Sequence, residues 1–206
     1  MLENIKAPTA ARSCSVIEAA IFDLDGVLTD TAKVHEAAWR EAFWPHSISH
    51  EAYLKYVDGR TREDGIRTFL KSVTPPEQLI TSKLVKVVGD QKNDLYLEAI
   101  ERDGVCIIPE NVALAALYKA YGWKIGVASS SRNAKTILER AALFPLVDTL
   151  VDGNDVERLG LPSKPAPALF KYCANKMDVR YEDCVVFEDS RETYENVAPA
   201  YGVLVK

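Results

Sequence analysis

Asp23 and Asp25 stand two residues apart at the end of a short apolar run, Ala19-Ala20-Ile21-Phe22, with Gly26 directly after them. A carboxylate in the place of Asp23 can attack a phosphoryl group and form an aspartyl-phosphate, which divides one hard step into two. Two anions repel, so a cation must bridge them. Mg²⁺ suits this role because it takes oxygen ligands and shares its octahedron with a substrate phosphate. Asp25 can give a proton to the leaving oxygen and later retrieve one. Gly26 lets the chain turn sharply there. The Asp-x-Asp-Gly pattern also occurs in ordinary turns and in calcium loops. A calcium loop would place a further carboxylate where Leu28 stands, and a buried strand would not precede it.

Three further groups follow other apolar runs or open helical patterns. Val127-Ala128 runs into Ser129-Ser130-Ser131-Arg132-Asn133, where the Ser129 hydroxyl and the following backbone N–H groups, Ser130 among them, can hold phosphate oxygens at a helix start. Lys164, in Ser163-Lys164-Pro165-Ala166-Pro167, can neutralise charge on a transferring group and on Asp23. Glu188 and Asp189 follow Val185-Val186-Phe187 and can serve as metal ligands. Each group alone has a plainer reading, as a serine N-cap, a solvated lysine or a pair of helix-capping acids. Their recurrence at successive strand ends favours phosphoryl chemistry.

Those residues need a frame. Short apolar runs at 19–22, 125–128, 147–151, 185–187 and 203–205 read as strands buried on both faces, as in a parallel sheet. Helical patterns at 110–121, 132–143, 165–177 and 190–198 alternate with them, giving an α/β doubly wound core. In such sheets ligands bind at the carboxyl ends of strands, where Asp23, Ser129 and Glu188 fall. Residues 31–104 contain no convincing strand and read as an inserted unit of four or five helices. Thr74-Pro-Pro-Glu77 there reads as a capping box with Pro75 at the first helical position, and Gly104 as a helix stop. The expected organisation is an N-terminal arm over 1–16, a catalytic core over 17–30 and 105–206, and a helical cap over 31–104.

Composition narrows the partners. The 206 residues are 48% hydrophobic and 27% charged, with a net charge of −5, an ordinary globular mix that gives no long-range pull toward nucleic acid or anionic lipid. No apolar run reaches the length of a membrane span or a signal peptide. The 4 cysteines, Cys14, Cys106, Cys173 and Cys184, form neither a CxxC pair nor a tight cluster. Cys106 and Cys184 lie in apolar runs and are expected to be buried packing thiols. The expectation is a monomeric cytoplasmic protein that handles a small-molecule phosphate ester, with neither a nucleic-acid nor a membrane partner.

The four groups in this order resemble the haloacid dehalogenase superfamily, and within it the β-phosphoglucomutase-like branch, over about residues 18–205. The resemblance implies that Asp23 is the nucleophile and Asp25 the general acid and base. Mg²⁺ would be held by Asp23, the Asp25 backbone carbonyl and Asp189, with Glu188 beside it, and the phosphoryl group by Ser129 and Lys164. Asp25 and Asp189 argue against dehalogenation, since the dehalogenases proper lack both the second acid and the metal. Thr31, His35 and Trp39, spaced i, i+4, i+8 along one helix face, resemble the start of the mutase cap. Gly59-Arg60-Thr61-Arg62-Glu63-Asp64 resembles the family's G-x-x-R-x-D loop, whose arginine grips the non-transferring phosphate. Lys92-Asn93 resembles the cap pair that contacts substrate, and Ser131 joins the substrate-binding set. His35 and Trp39 can equally be ordinary helix and core residues, Arg62 and Lys92 solvated charges, and His46 and His50 read as surface.

Some positions depart from the family pattern. Ala168 stands where an acid usually follows Lys-Pro-Ala-Pro, Thr193 replaces a glycine, Pro199 is expected to end the last helix early, and the sequence stops at Lys206 where relatives run on. These departures bear on packing beneath Asp189. The expected activity is phosphoryl transfer on a small sugar phosphate, by a mutase or a phosphatase. A catalytically weakened binding relative, and a phosphonate-cleaving relative using Lys92 as a Schiff base, are the competing readings.

Overall fold

In the computed structural model, residues 3–6, 16–75 and 79–205 are described. Ala19–Phe22 (β2) exposes none of its four residues, and this enclosure follows from its place in the sheet. The strands are β1 (Glu3–Lys6), β2, β3 (Lys124–Ala128), β4 (Thr149–Val151), β5 (Cys184–Glu188) and β6 (Tyr201–Leu204), in the order β1-β6-β5-β2-β3-β4. The β6-β5-β2-β3-β4 run is parallel throughout, and β1 closes one edge antiparallel to β6. The reading of 1–16 as a loose arm therefore differs at Glu3–Lys6; Cys14 and most of that arm lie outside the described residues.

Helices cover both faces of the sheet. On one face α5 (Pro109–Ala120) and α6 (Ala134–Arg140) pack Ala115, Ala134, Ile137 and Leu138 against Phe22, Ile125, Val127 and Phe187. On the other, α7 (Gly153–Leu159) and α8 (Ala168–Lys176) bring Val156, Leu169, Phe170 and Cys173 onto Ile21, Ala128 and Val186. This is the doubly wound Rossmann-like α/β sheet that the apolar runs imply. The short α9 (Arg191–Glu195) follows β5 and ends before Pro199 is reached.

Between β2 and β3 the chain forms α1 (Ala32–Ala42), α2 (His50–Tyr56), α3 (Arg62–Val73) and α4 (Ser82–Asp103), then α5. The first four share their own apolar cluster, centred on Trp39, Phe43, Ile66 and Phe69. The α4 helix begins later than the sequence suggests. Thr81 caps it by accepting from Leu84 N–H, whereas the Thr74 hydroxyl turns back to the Leu70 carbonyl at 2.6 Å and ends α3. Glu77 of the expected capping box lies outside the described residues. Gly104 does end α4, at φ 77°.

Cys106 is exposed, contrary to the expectation of a buried thiol. Its segment crosses the surface as a strap in which backbone groups do the pairing. Asp30 N–H donates to Cys106 O and Ile108 N–H to Leu28 O, so the apolar run VCII pairs main chain while Cys106 and Ile107 stay exposed. Cys173 and Cys184 are buried.

Candidate active site

The carboxyl ends of β2, β3 and β5 converge on one cleft. Asp23 leaves β2 with its N–H bonded to Phe187 O at 2.9 Å, which ties the end of β2 to β5. Lys164, only 2% exposed, reaches in from the loop before α8 and places Nζ 2.8 Å from both Asp23 Oδ1 and Glu188 Oε2. Lysine is rarely buried so completely unless it is paired. Burial pushes the lysine down, but the two acids outweigh it and raise the ammonium above its ordinary range.

One lysine does not neutralise this corner. Oxygens of Asp23, Glu188 and Asp189 lie within 4.8 Å of one another. Burial first, then the charges of Glu188 and Asp25, push Asp23 up against the pull of Lys164. Desolvation and the same crowd of acids push Asp189 up too, although its side chain opens onto the cleft. Three hard oxygen donors with excess negative charge fit a divalent cation such as Mg²⁺. The backbone is shaped for this closeness. Gly26 sits at φ 88°, and a methyl group there would lie 2.0 Å from Asp189 Oδ2.

Asp25, on the same turn, meets different chemistry. Thr31 begins α1 without capping it, and its hydroxyl instead donates to Asp25 Oδ1 at 2.5 Å. Ser129 Oγ lies 3.4 Å from Oδ2, and His35 Nε2 lies 3.3 Å from Oδ1. Lys92 Nζ lies 2.6 Å from His35 Nδ1; as an ammonium it donates there, which puts the ring proton on Nε2, facing Asp25. Burial pushes Asp25 up, but His35, Thr31 and Lys92 outweigh it and hold the carboxyl at about 2. His35 itself is lowered, by burial and then by Lys92. A neutral imidazole leaves the Thr31 hydroxyl as the firmer donor to Asp25. Lys92 is 3% exposed, and burial lowers it to about 7. Its ammonium lies over the rings of Tyr96 and Trp39, at 4.4 and 5.2 Å.

The cleft gathers residues from both lobes. Asp23, Asp25, His35, Trp39, Gly59, Arg62, Lys92, Ser129, Ser130, Ser131, Lys164, Glu188 and Asp189 all line it. Thr31 and Asn93 stand behind that lining. Asn93 accepts from Arg62 Nη2 at 2.7 Å and from Asn133 Nδ2 at 3.0 Å, so it orients groups on both lobes. Ser130 Oγ donates to Gly59 O at 2.7 Å, pinning the loop before α3 onto the serine loop. Close packing continues below: Gly153, which opens α7, leaves no room for a methyl group, which would lie 2.5 Å from Ser130 O.

The sequence reading missed Tyr53, Asp58, Arg60, Arg132, Asn133 and Ser190, which also line the cleft. Adjacency was the available signal. Arg132 and Asn133 follow Ser131 directly, and Arg60 shares its loop with Arg62. His46 and His50 do not line the cleft; His50 pairs instead with Glu36 at 3.0 Å. Thr193, in the departing stretch after Asp189, is 2% exposed, and its hydroxyl lies beside Gly59.

This fold and these strand-end groups define a class, and residues 17–194 match the model of the haloacid dehalogenase-like hydrolases. The chain belongs to that family and lies in its β-phosphoglucomutase-like branch, as an enzyme of the phosphotransferase or phosphatase kind. It is 32% identical over 195 residues to a β-phosphoglucomutase of Mycobacterium bovis, covering 84% of this chain and 74% of the relative. It is 25% identical over 170 residues to a fructose-1-phosphate phosphatase of Escherichia coli, covering 82% and 85%. A crystal structure of β-phosphoglucomutase from Clostridium difficile superposes with a TM-score of 0.80 at 26% identity, covering 91% of this chain and 83% of that one.

Proposed function

We propose that this protein is a Mg²⁺-dependent phosphoryl-transfer enzyme acting on a small sugar phosphate through an aspartyl-phosphate at Asp23, with β-phosphoglucomutase-like chemistry. The observation that carries the reading is the contrast between two carboxylates on one turn. Asp23 shares Lys164 with Glu188 in a crowd of acids, while Asp25 turns to the Thr31 hydroxyl beside the His35–Lys92 pair. A cation between Asp23 and Asp189 would offset the crowding that pushes Asp23 up and leave it the ionised nucleophile, with Asp25 placed to move a proton.

Asp23, Asp189 and the Asp25 carbonyl would hold Mg²⁺, with Glu188 alongside. The cation would screen the repulsion between Asp23 and an incoming phosphate. Ionised Asp25 takes the proton of a sugar hydroxyl as that oxygen attacks phospho-Asp23, whose P–O bond to the carboxylate breaks and frees Asp23. In the other half of the cycle an Asp23 oxygen attacks the second phosphorus, the ester P–O bond breaks, and the leaving sugar oxygen takes that proton back from Asp25. Lys164 and Ser129 steady the transferring group. Arg62, ordered by Asn93, grips the other phosphate, a match of a planar cation to a dianion. Segment 31–104 acts as the cap that excludes water, with His35, Trp39 and Lys92 facing the sugar.

The names of relatives support both a mutase and a sugar-phosphate phosphatase. The two differ only in whether a sugar hydroxyl or water attacks phospho-Asp23. Incubation of β-glucose 1-phosphate with Mg²⁺ and a bisphosphate primer separates them. The expected outcome is glucose 6-phosphate in excess of free phosphate, with both products lost at least about a thousandfold in Asp23→Asn. Phosphate release without isomer would make the enzyme a phosphatase, and full activity in Asp23→Asn would end the aspartyl-phosphate reading. The unpaired thiols Cys106, Cys173 and Cys184 support a cytoplasmic setting, and none of the described helices is long and apolar enough to cross a membrane. A monomer acting on a diffusible ester is the working form.

A further inference from the structure

Thr29 closes the turn that carries Asp25, yet it does not line the cleft. Its carbonyl accepts Gly26 N–H at 2.7 Å, and its own N–H donates to Leu24 O at 3.0 Å. Backbone bridges to Asp25 and to Ile107 hold it between the two crossings to the helical lobe. The side chain is fully buried. Its hydroxyl lies 2.8 Å from the Thr31 hydroxyl and 3.2 Å from Leu24 O.

Counting hydrogens gives the Thr29–Thr31 contact a direction. Each hydroxyl carries one hydrogen. Thr31 places its hydrogen on Asp25 Oδ1 at 2.5 Å, and an ionised carboxylate can only accept. The Thr31 oxygen is then the acceptor toward Thr29, and Thr29 the donor. Leu24 O makes little claim on the Thr29 hydrogen, because the N–H groups of Val27, Leu28 and Thr29 already converge on it at 3.3, 2.9 and 3.0 Å. The line runs from Thr29 through Thr31 to Asp25 Oδ1, and each donor polarises the next. The other carboxylate oxygen, Oδ2, meets Ser129 Oγ at 3.4 Å, a long contact. The Asp25 side chain keeps 17% of its surface exposed and lines the cleft.

We infer that Thr29 is a positioning residue of the phosphoryl-transfer site. By donating to Thr31 it keeps the Thr31 hydrogen on Asp25 Oδ1, and so leaves Oδ2 as the oxygen that takes and returns the sugar proton. This rests on the phosphoryl-transfer reading above and adds a residue behind the cleft to it. The proton passes from the sugar oxygen to Oδ2 and back, while Thr29 and Thr31 keep their own hydrogens. Without the Thr29 hydroxyl the Thr31 hydroxyl turns freely, and the carboxyl loses its fixed orientation.

The experiment measures kcat/KM for β-glucose 1-phosphate, with Mg²⁺ and the bisphosphate primer, and for p-nitrophenyl phosphate, in the parent enzyme, Thr29→Val and Thr29→Ser. A sugar oxygen must exchange a proton with Asp25, whereas p-nitrophenolate leaves as a stable anion and needs little such help. Thr29→Val keeps the shape and loses the hydroxyl. Its ratio of sugar ester to nitrophenyl ester is expected to fall about fivefold, the size of one neutral hydrogen bond, with the loss in kcat rather than KM for the sugar ester. Thr29→Ser should restore the ratio to within about twofold of the parent. On a Thr31→Val background, Thr29→Val should cost less than about twofold more, because its effect passes through Thr31. A fall of less than about threefold in Thr29→Val, equal losses on both esters, or no recovery in Thr29→Ser overturns the inference and leaves the phosphoryl-transfer reading standing. If Thr29→Val does not fold, Thr29→Ala takes its place. If the parent does not turn over the nitrophenyl ester, the Thr31→Val comparison on β-glucose 1-phosphate decides by itself, and an undiminished loss there overturns the inference. No Mg²⁺-dependent turnover of either ester by the parent enzyme would overturn the function and this inference together.

Discussion

Lys92 shows how much a single residue gives up for the site. It is a buried ammonium whose nearest partner is an imidazole nitrogen and whose other neighbours are aromatic faces. Its proton is held less tightly in the folded state, at about 7, than in the unfolded chain, near 10.5. Folding therefore sheds that proton between those two values, so this residue makes stability rise with pH across that window and penalises the fold most below it. Replacing it with the similarly sized Lys92→Met should raise Tm by about 3 °C or more at pH 6.5, at roughly 2–4 °C per kcal/mol for a chain of this size. The gain should shrink toward pH 10, while sugar-phosphate turnover falls. A Tm that drops at pH 6.5, read by calorimetry, would show that the ammonium stabilises the fold. The sequence supplied the identity of this residue but not its burial. Lys92 falls on a mostly polar helix, and only the packing of α4 against α1 encloses it.

Among the elements, those that end at chemistry were the most legible. The runs before Asp23, Ser129 and Glu188 are apolar on every residue that the sheet covers, so both their strand character and their carboxyl ends could be read. The α7 helix escaped because Gly153–Leu159 holds one buried apolar residue, Val156, and its start is set by an Asp152–Asp155 capping box rather than by periodicity. Thr74 was misassigned because a threonine hydroxyl serves a carbonyl at a helix end as readily as an N–H at a helix start. The VCII run misled for another reason: it pairs main chain on an exposed strap. Thiol chemistry tests that difference directly. Burial pushes Cys184 up to about 12 and Cys173 higher still, so both stay protonated at pH 8. In a Cys14→Ser protein, Ellman's reagent should titrate one thiol rapidly, Cys106, and the other two only on unfolding. Three fast thiols would mean that the sheet face under α8 is open.

Taken whole, the molecule sets two lobes across one acidic corner and ties them at several points. Gly59 meets Ser130, Arg62 and Asn133 share Asn93, and Arg132 reaches Glu63. The acids from the ends of β2 and β5 crowd together at the sheet centre, a repulsion that a bound cation would relieve. Mg²⁺ at about a hundred times its Kd should stabilise by about 2.7 kcal/mol, a Tm rise of several degrees over the EDTA-treated protein. In Asp189→Asn the metal-free Tm should match or exceed the parent's, and the rise with Mg²⁺ should largely vanish. An undiminished rise would place the cation elsewhere. The likeness to β-phosphoglucomutases was legible because four short motifs stay in order along the chain. The ties between lobes were not, since each joins residues far apart in sequence.

The exposed thiol on the strap has a practical corollary. Cys106 O receives the Asp30 N–H just where the chain leaves the sheet for the helical lobe, and the return crossing passes through the same residues. In the Cys14→Ser protein a maleimide dye attached there sits beside both crossings between the sheet and the helical lobe. A change in its emission as sugar phosphate is titrated in would report a rearrangement at the crossings, and an unchanged emission a rigid strap.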